Sequence, residues 1–219
     1  MVELIHGLRA EQVRANLDKV RERIAGAGVN PDRVEILAAV KYLPAEELGS
    51  VAAGGIKLAG ENRAQDLTRK ASVGPGELTW DFIGHLQSRK VREVLPLVRY
   101  IHSVASDSVL AQLARHGDEN TRVLIEVNVA GEAGKSGIAP EELPGFLERC
   151  PVSVIGLMTM PPLAAEAEGS RRHFAALREL AEAHGLSELS MGTSQDYTVA
   201  VQEGATIVRL GTILYRNSP

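Results

Sequence analysis

The chain has 219 residues, enough to bury a substantial core in one domain without disulfides or metals. Lys and Arg together number 24 against 28 Asp and Glu, and the resulting net charge of −4 argues against non-specific nucleic-acid binding, which relies on clustered cations. Aromatics at 4% leave few stacking platforms for single strands, so the core falls to Val, Leu, Ile and Ala.

Residues 8–27 place Leu8, Val13, Leu17, Val20 and Ile24 at helical spacing between charges, with Gly26 and Gly28 as the stop and Pro31 soon after. An apolar run over 34–40 follows and predicts a buried strand. Beyond it the pattern alternates. Strands are predicted at 34–40, 56–59, 79–83, 99–102, 122–129, 152–157, 188–190 and 206–210. Helices are predicted between them at 44–53, 63–71, 88–95, 107–116, 141–149, 165–184 and 196–203. Eight strands, each but the last followed by a helix, imply a parallel sheet. That count fits a single closed (β/α)8 barrel over 1–219 with an extra N-terminal helix; an open doubly wound sheet is the alternative. No linker, repeat or low-complexity segment divides the chain.

Cys150 is the only cysteine, which excludes a disulfide framework and a thiolate zinc site and fits a reducing compartment. The N-terminal residues lack an apolar signal core, and no stretch approaches the roughly 18 apolar residues of a membrane span. A cytoplasmic protein with no membrane or nucleic-acid partner is expected.

In a barrel, chemistry belongs at the C-terminal ends of the strands. Lys41 ends the first apolar run. An amine desolvated there is a nucleophile suited to Schiff-base chemistry; the plain alternative is a lysine that snorkels to the mouth and does nothing. Asn62, in GENR at 60–63, reads either as the cap of the next helix or as a ligand contact. His85 follows the third strand as an acid/base or an ordinary hydrogen-bonded loop residue. The six histidines show no metal-ligating spacing. AGEAGKSG at 130–137 is not a phosphate loop, because Val129 stands where the first Gly of that motif belongs. The segment 190–212 carries the strongest signal. Ser190, Gly192, Thr193 and Ser194 are placed after strand seven, and Arg209, Gly211 and Thr212 around the end of strand eight. Small hydroxyl residues and exposed amides in those two loops predict a phosphate cup. An amine after strand one and a phosphate cup opposite it suit a ligand with an aldehyde at one end and a phosphate at the other, the shape of pyridoxal 5′-phosphate (PLP).

AVKY around Lys41, GENR at 60–63, FIGHLQSRK at 82–90, EVNVAGEAGKSG at 126–137, GLMTM at 156–160 and SMGTSQDYTVAVQEGATIVRLG at 190–211 together resemble the PLP homeostasis proteins (YggS/PROSC type) over nearly the whole chain. The resemblance implies the alanine racemase N-terminal barrel, with Lys41 as the Schiff-base lysine carrying PLP as an internal aldimine. It implies that Ser190 and Gly192, with Gly211 and Thr212, hold the phosphate, that Arg209 faces the pyridine nitrogen, and that Asn62 lies near the ring. Three positions depart from the family pattern: Asp81 replaces a His, Thr193 replaces a Met, and Leu214-Tyr215 replaces Phe-Gly.

The function this implies is PLP binding for intracellular PLP homeostasis, by buffering or delivery to apo PLP-dependent enzymes, with effects on amino-acid and keto-acid balance and no turnover of its own. A PLP-dependent racemase or decarboxylase on the same barrel is the second reading. It needs an opposing acid/base, a Tyr supplied by a further β domain, for which a chain ending at Pro219 leaves no residues; Tyr42, Tyr100, Tyr197 and Tyr215 are not in that position. An interaction protein with a decayed site is a third reading, disfavoured because the lysine and the cup both persist. A monomer is expected.

Overall fold

The computed structural model describes residues 4–216; the ends of the expected domain, 1–3 and 217–219, lie outside the described residues. Eight parallel strands close into a barrel in sequential order, which excludes the open sheet. They are β1 (Glu35–Ala39), β2 (Leu58–Glu61), β3 (Thr79–Phe82), β4 (Tyr100–Val104), β5 (Arg122–Glu126), β6 (Ser153–Met158), β7 (Glu188–Thr193) and β8 (Ile207–Leu210). The helices are α1 (Ala10–Gly26), α2 (Leu48–Ala53), α3 (Ala64–Val73), α4 (Val91–Val94), α5 (Asp107–His116), α6 (Leu143–Arg149), α7 (Arg171–Ala183), α8 (Tyr197–Gln202) and α9 (Thr212–Tyr215). Short 3-10 turns precede several of them, so the expected helix 88–95 is broken into 3-10, α and 3-10 pieces around Pro96.

Alternation along each strand sorts the side chains into two cores. The larger one lies between sheet and helices and takes Ala38 and Val40 of the first strand segment and Val208 and Leu210 of the last. The smaller one fills the barrel itself with Leu37, Leu58 and Ile207, and Tyr100 and Ile83 pack against it. Position 209 therefore points inward, in register with Leu37. The same parity continues from Leu37 through Ala39 to Lys41.

Contrary to expectation, β8 is also followed by a helix, but α9 is a single turn. The free place in the helical ring is taken by α1, which packs against α2, α8 and α9. Val13, Leu17, Val20 and Ile24 form its buried stripe, as their spacing predicts. Asn16 on the same stripe donates through Nδ2 to the carbonyls of Leu214 (3.2 Å) and Arg216 (3.1 Å), and so ties the extra helix to the end of the barrel.

Candidate functional site

Lys41 lies two residues beyond β1, and the backbone of Val40 still donates to Gly60 of β2 (3.0 Å). Lys41 is exposed, so the desolvation expected at the end of a buried strand does not act on it. Its Nζ stands 4.7 Å from the centre of the Tyr42 ring. Ala39 pairs with Gly60, which places Asn62 beside Lys41 on the neighbouring strand end. On the other side, a Cβ at Gly211 would lie 3.9 Å from the Ala39 carbonyl oxygen. The expected cup is thus not opposite the lysine. A closed barrel makes strands eight and one neighbours, so Gly211 and Thr212 stand directly beside it and β7 is one strand further.

The strand-seven residues are more deeply set than expected, because β7 runs to Thr193 instead of stopping at Ser190. Gly192 has φ +90°, and a Cβ there would meet Ala200 Cβ at 2.5 Å, so glycine lets α8 close against the strand end. The Thr193 hydroxyl donates to Asp196 Oδ1 (3.1 Å), which also accepts the Thr193 amide (2.7 Å). Asp196 Oδ2 accepts from Ser170 (2.9 Å), so the whole turn is braced. Ser194 is different. Its Oγ takes only a long bond from the Gly211 amide, 3.2 Å, which bridges the two loops. Among the described residues, the amides of Gln195 and Thr212 donate to no protein group. The amides of Gln195 and Thr212, with the Ser194 hydroxyl, therefore remain for an anion beside Gly211, whose own amide is held by Ser194, whereas Thr193 is bonded within the turn that Gly192 shapes.

Ser190 is fully buried inside the barrel, where a chain of polar groups crosses from β8 to β3. Arg209, 6% exposed, donates through Nη1 to both the carbonyl and the hydroxyl of Ser190, each at 2.6 Å. Its Nη2 donates to the Thr159 carbonyl (2.8 Å) and to Met160 Sδ (2.9 Å). Its Nε makes no hydrogen bond among the described residues. Burial pushes the Arg209 guanidinium down to about 10, partly opposed by Glu126 and Asp196, so it remains a cation at neutral pH.

The Ser190 hydroxyl is 2.8 Å from His102 Nδ1, and His102 Nε2 is 3.0 Å from Asp81 Oδ2. Arg99 closes the chain with bonds of 3.2 and 2.8 Å to Asp81 and of 2.6 and 2.9 Å to Glu35 at the barrel floor. Burial alone would raise the Asp81 carboxyl, but the hydrogen bonds from His102 and Arg99 outweigh it and hold it below the ordinary value. Burial lowers the His102 imidazole; Asp81 opposes this, while the cations Arg209 and Arg99 add to it. His102 is neutral at physiological pH.

A second buried pair supports the mouth from outside. Lys70 of α3 is 1% exposed and its Nζ lies 2.5 Å from Glu61 Oε2, with a further bond of 2.7 Å to the carbonyl of Val40. The other Glu61 oxygen accepts the amide of Asn62 at 2.7 Å. The pair therefore fixes the backbone immediately before Lys41 and at Asn62.

Asn62 does not cap α3; the cap position is Arg63, and no side chain closes it. Gly84 is needed beside Asn62, since a Cβ there would sit 2.0 Å from the Asn62 carbonyl oxygen. Asn62 lines a cavity of about 340 Å3 with Phe82, His85, Gln87 and Arg89. His85 is exposed and forms no hydrogen bond among the described residues, so it is not the hydrogen-bonded loop residue of the plain reading. Sequence reading missed His102, Asp81, Glu61 and Lys70 as site-supporting residues. The one signal for the first of them was a polar residue at an inward position of the apolar strand YIHSV.

The family model for the alanine racemase N-terminal domain matches residues 8–219. The pyridoxal phosphate homeostasis protein of Aquifex aeolicus is 37% identical over 219 residues, covering 94% of this chain and 96% of the relative. PipY of Synechococcus elongatus, solved with PLP bound, superposes with a TM-score of 0.79 at 31% identity over 93% of this chain and 100% of PipY. The alanine racemase of Clostridium difficile shares the fold, with a TM-score of 0.72 at 14% identity over 97% of this chain and 58% of the racemase.

Proposed function

The chain belongs to the pyridoxal phosphate homeostasis protein family, and from that premise we propose that it binds PLP at the mouth of a single-domain barrel and buffers or delivers it without turnover of its own. The residues present fit the group. Lys41 would hold the aldehyde carbon. Ser194, Gly211 and Thr212 would hold the phosphate, with Gly192 and Thr193 shaping the loop around it. Ser190 is spent on Arg209 and His102 and serves from behind. Arg209, whose Nε is its unused donor, would face the pyridine nitrogen, and Asn62 would lie against the ring. The observation that carries the reading is the register that sets Lys41 between Asn62, just past β2, and Gly211, just past β8, above a buried arginine with one donor to spare.

When bound, PLP supplies an aldehyde that condenses with an amine and a ring that accepts electrons. A cation facing the ring nitrogen disfavours its protonation and weakens that acceptance. No tyrosine is well placed as an opposing acid/base. Tyr215 is buried and its hydroxyl donates to the Ala39 carbonyl (3.4 Å), Tyr197 is a buried residue at the start of α8, and Tyr100 lies inside the barrel with Arg99 4.0 Å from its ring centre. Tyr42 stacks on the Lys41 amine itself. Exposure of Lys41 suits release to an acceptor such as an apo PLP-dependent enzyme.

The test is to load the protein with PLP, reduce with borohydride and map the label. Label on Lys41, absent after Lys41→Ala, is expected; an unlabelled wild-type chain refutes the cofactor assignment. Exchange of the α-proton of L- or D-alanine in heavy water, dependent on Lys41, would refute the absence of turnover.

A further inference from the structure

The chain of polar groups inside the barrel has a direction. Asp81 is an acceptor only, fixed as a carboxylate by Arg99 and His102. His102 is neutral, so its single N–H sits on Nε2 and donates to Asp81, which leaves Nδ1 as an acceptor. Among the described residues the only donor facing Nδ1 is the Ser190 hydroxyl, whose proton must therefore point away from Arg209. The oxygen lone pairs of Ser190 are then free to receive Arg209 Nη1. Each bond thus requires the orientation of the next, and a continuous run of donors leads from the guanidinium to the carboxylate.

We propose that Asp81 and His102 are positioning residues for Arg209: by fixing the proton of Ser190 they hold the guanidinium with both Nη groups occupied and Nε turned to the ligand. The proposal rests on the PLP reading above for the identity of that ligand, and it extends the site by two strands, β3 and β4. The carboxylate of Asp81 decides the tautomer of His102 and with it the direction of the run. Without that constraint a serine hydroxyl could equally donate elsewhere, and one of the two bonds at Arg209 Nη1 would be lost. The remaining bonds to the Ser190 and Thr159 carbonyls would keep the arginine buried but allow it to pivot.

Four proteins test this: wild type, Ser190→Ala, His102→Leu and His102→Asn, the last carrying an oxygen that can replace Nδ1 as acceptor. Thermal melts of the unliganded proteins first establish that each is folded. Nitrogen NMR of the unliganded wild type is expected to show His102 protonated at Nε2 only. A proton on Nδ1, or an imidazolium at neutral pH, overturns the proposal whatever the ligand. PLP is then bound, and both its dissociation constant and the shift of its 15N-labelled ring nitrogen are measured. One hydrogen bond's worth of lost orientation predicts about tenfold weaker binding for Ser190→Ala and His102→Leu. The ring-nitrogen signal should move in those two variants, and His102→Asn should restore both readouts. Unchanged binding and an unchanged ring-nitrogen shift in folded His102→Leu refute the positioning role. Failure of the wild type to take PLP on Lys41 refutes the cofactor reading instead, and the His102 tautomer still decides whether the run has the direction described.

Discussion

Replacing Lys70 by Met removes one half of an ion pair that water does not reach. Lys70 is 1% exposed and Glu61 0%, and their charged atoms are 2.5 Å apart, so neither partner can be solvated when the other is lost. Leaving a buried carboxylate without its cation costs about 3–5 kcal/mol. At roughly 2–4 °C per kcal/mol for a chain of this size, the melting temperature should fall by about 6–20 °C. The lost bond to the Val40 carbonyl falls within that figure. The double variant Glu61→Leu/Lys70→Met leaves no unpaired charge and only the Asn62 amide to re-satisfy, at about 1–3 kcal/mol. It should therefore be more stable than Lys70→Met alone. Urea unfolding of wild type, both single variants and the double variant completes the cycle. A Lys70→Met protein within about 0.5 kcal/mol of wild type, or a double variant as unstable as the two singles added, refutes the account of the pair as mutually dependent.

Stability should fall on acidification in two stages. The folded His102 value lies below the ordinary 6.5, so the unfolded chain takes up the proton first and stability declines as pH drops below about 6.5, a limb that His102→Asn should lack in pH-dependent urea titrations. The depressed Asp81 value adds a second loss below its ordinary 3.8, continuing until the folded carboxylate itself protonates. Gly192→Ala must push α8 away from β7 and strain a positive φ, and should cost about 1–3 kcal/mol by chemical denaturation, with weaker PLP retention. Asn16→Ala leaves two carbonyls without a donor and should cost about 1–3 kcal/mol, measured by the same method.

The barrel was legible because its outward-facing positions are mostly apolar: 34–40 and 122–129 read as strands from composition, and the helix expected at 107–116 matches Asp107–His116, which the structure shows to be capped by Ser106. The end of β7 was not. Ser190, Gly192 and Thr193 have the composition of a turn, and only pairing with β8 up to Arg209 makes them a strand. Lys41 could be singled out because it directly follows an apolar run, and Asn62 and Arg209 because they are polar residues near the ends of expected strands. Glu61, Lys70 and Asp81 could not be, since each reads as an ordinary surface residue until its partner, 9 or 21 positions away, is brought to it, and His102 showed only as a polar residue within an apolar strand. α9 escaped notice because one turn of TILY carries no periodicity.

The seam between β8 and β1, with α1 laid over it, has a consequence for folding order. It is made from the two extremes of the sequence: Asn16 reaches a carbonyl 198 positions away. Contacts between such distant segments carry the largest loop-closure entropy and depend on everything between them being in place. Gly211 meets Ala39 along this same seam, so the pocket for the proposed cofactor exists only when the ring is shut. A ligand that grips Lys41 on one side and Gly211 on the other then acts as a clasp. It selects the shut ring over partly opened forms, and in its absence fraying should begin between β8 and β1.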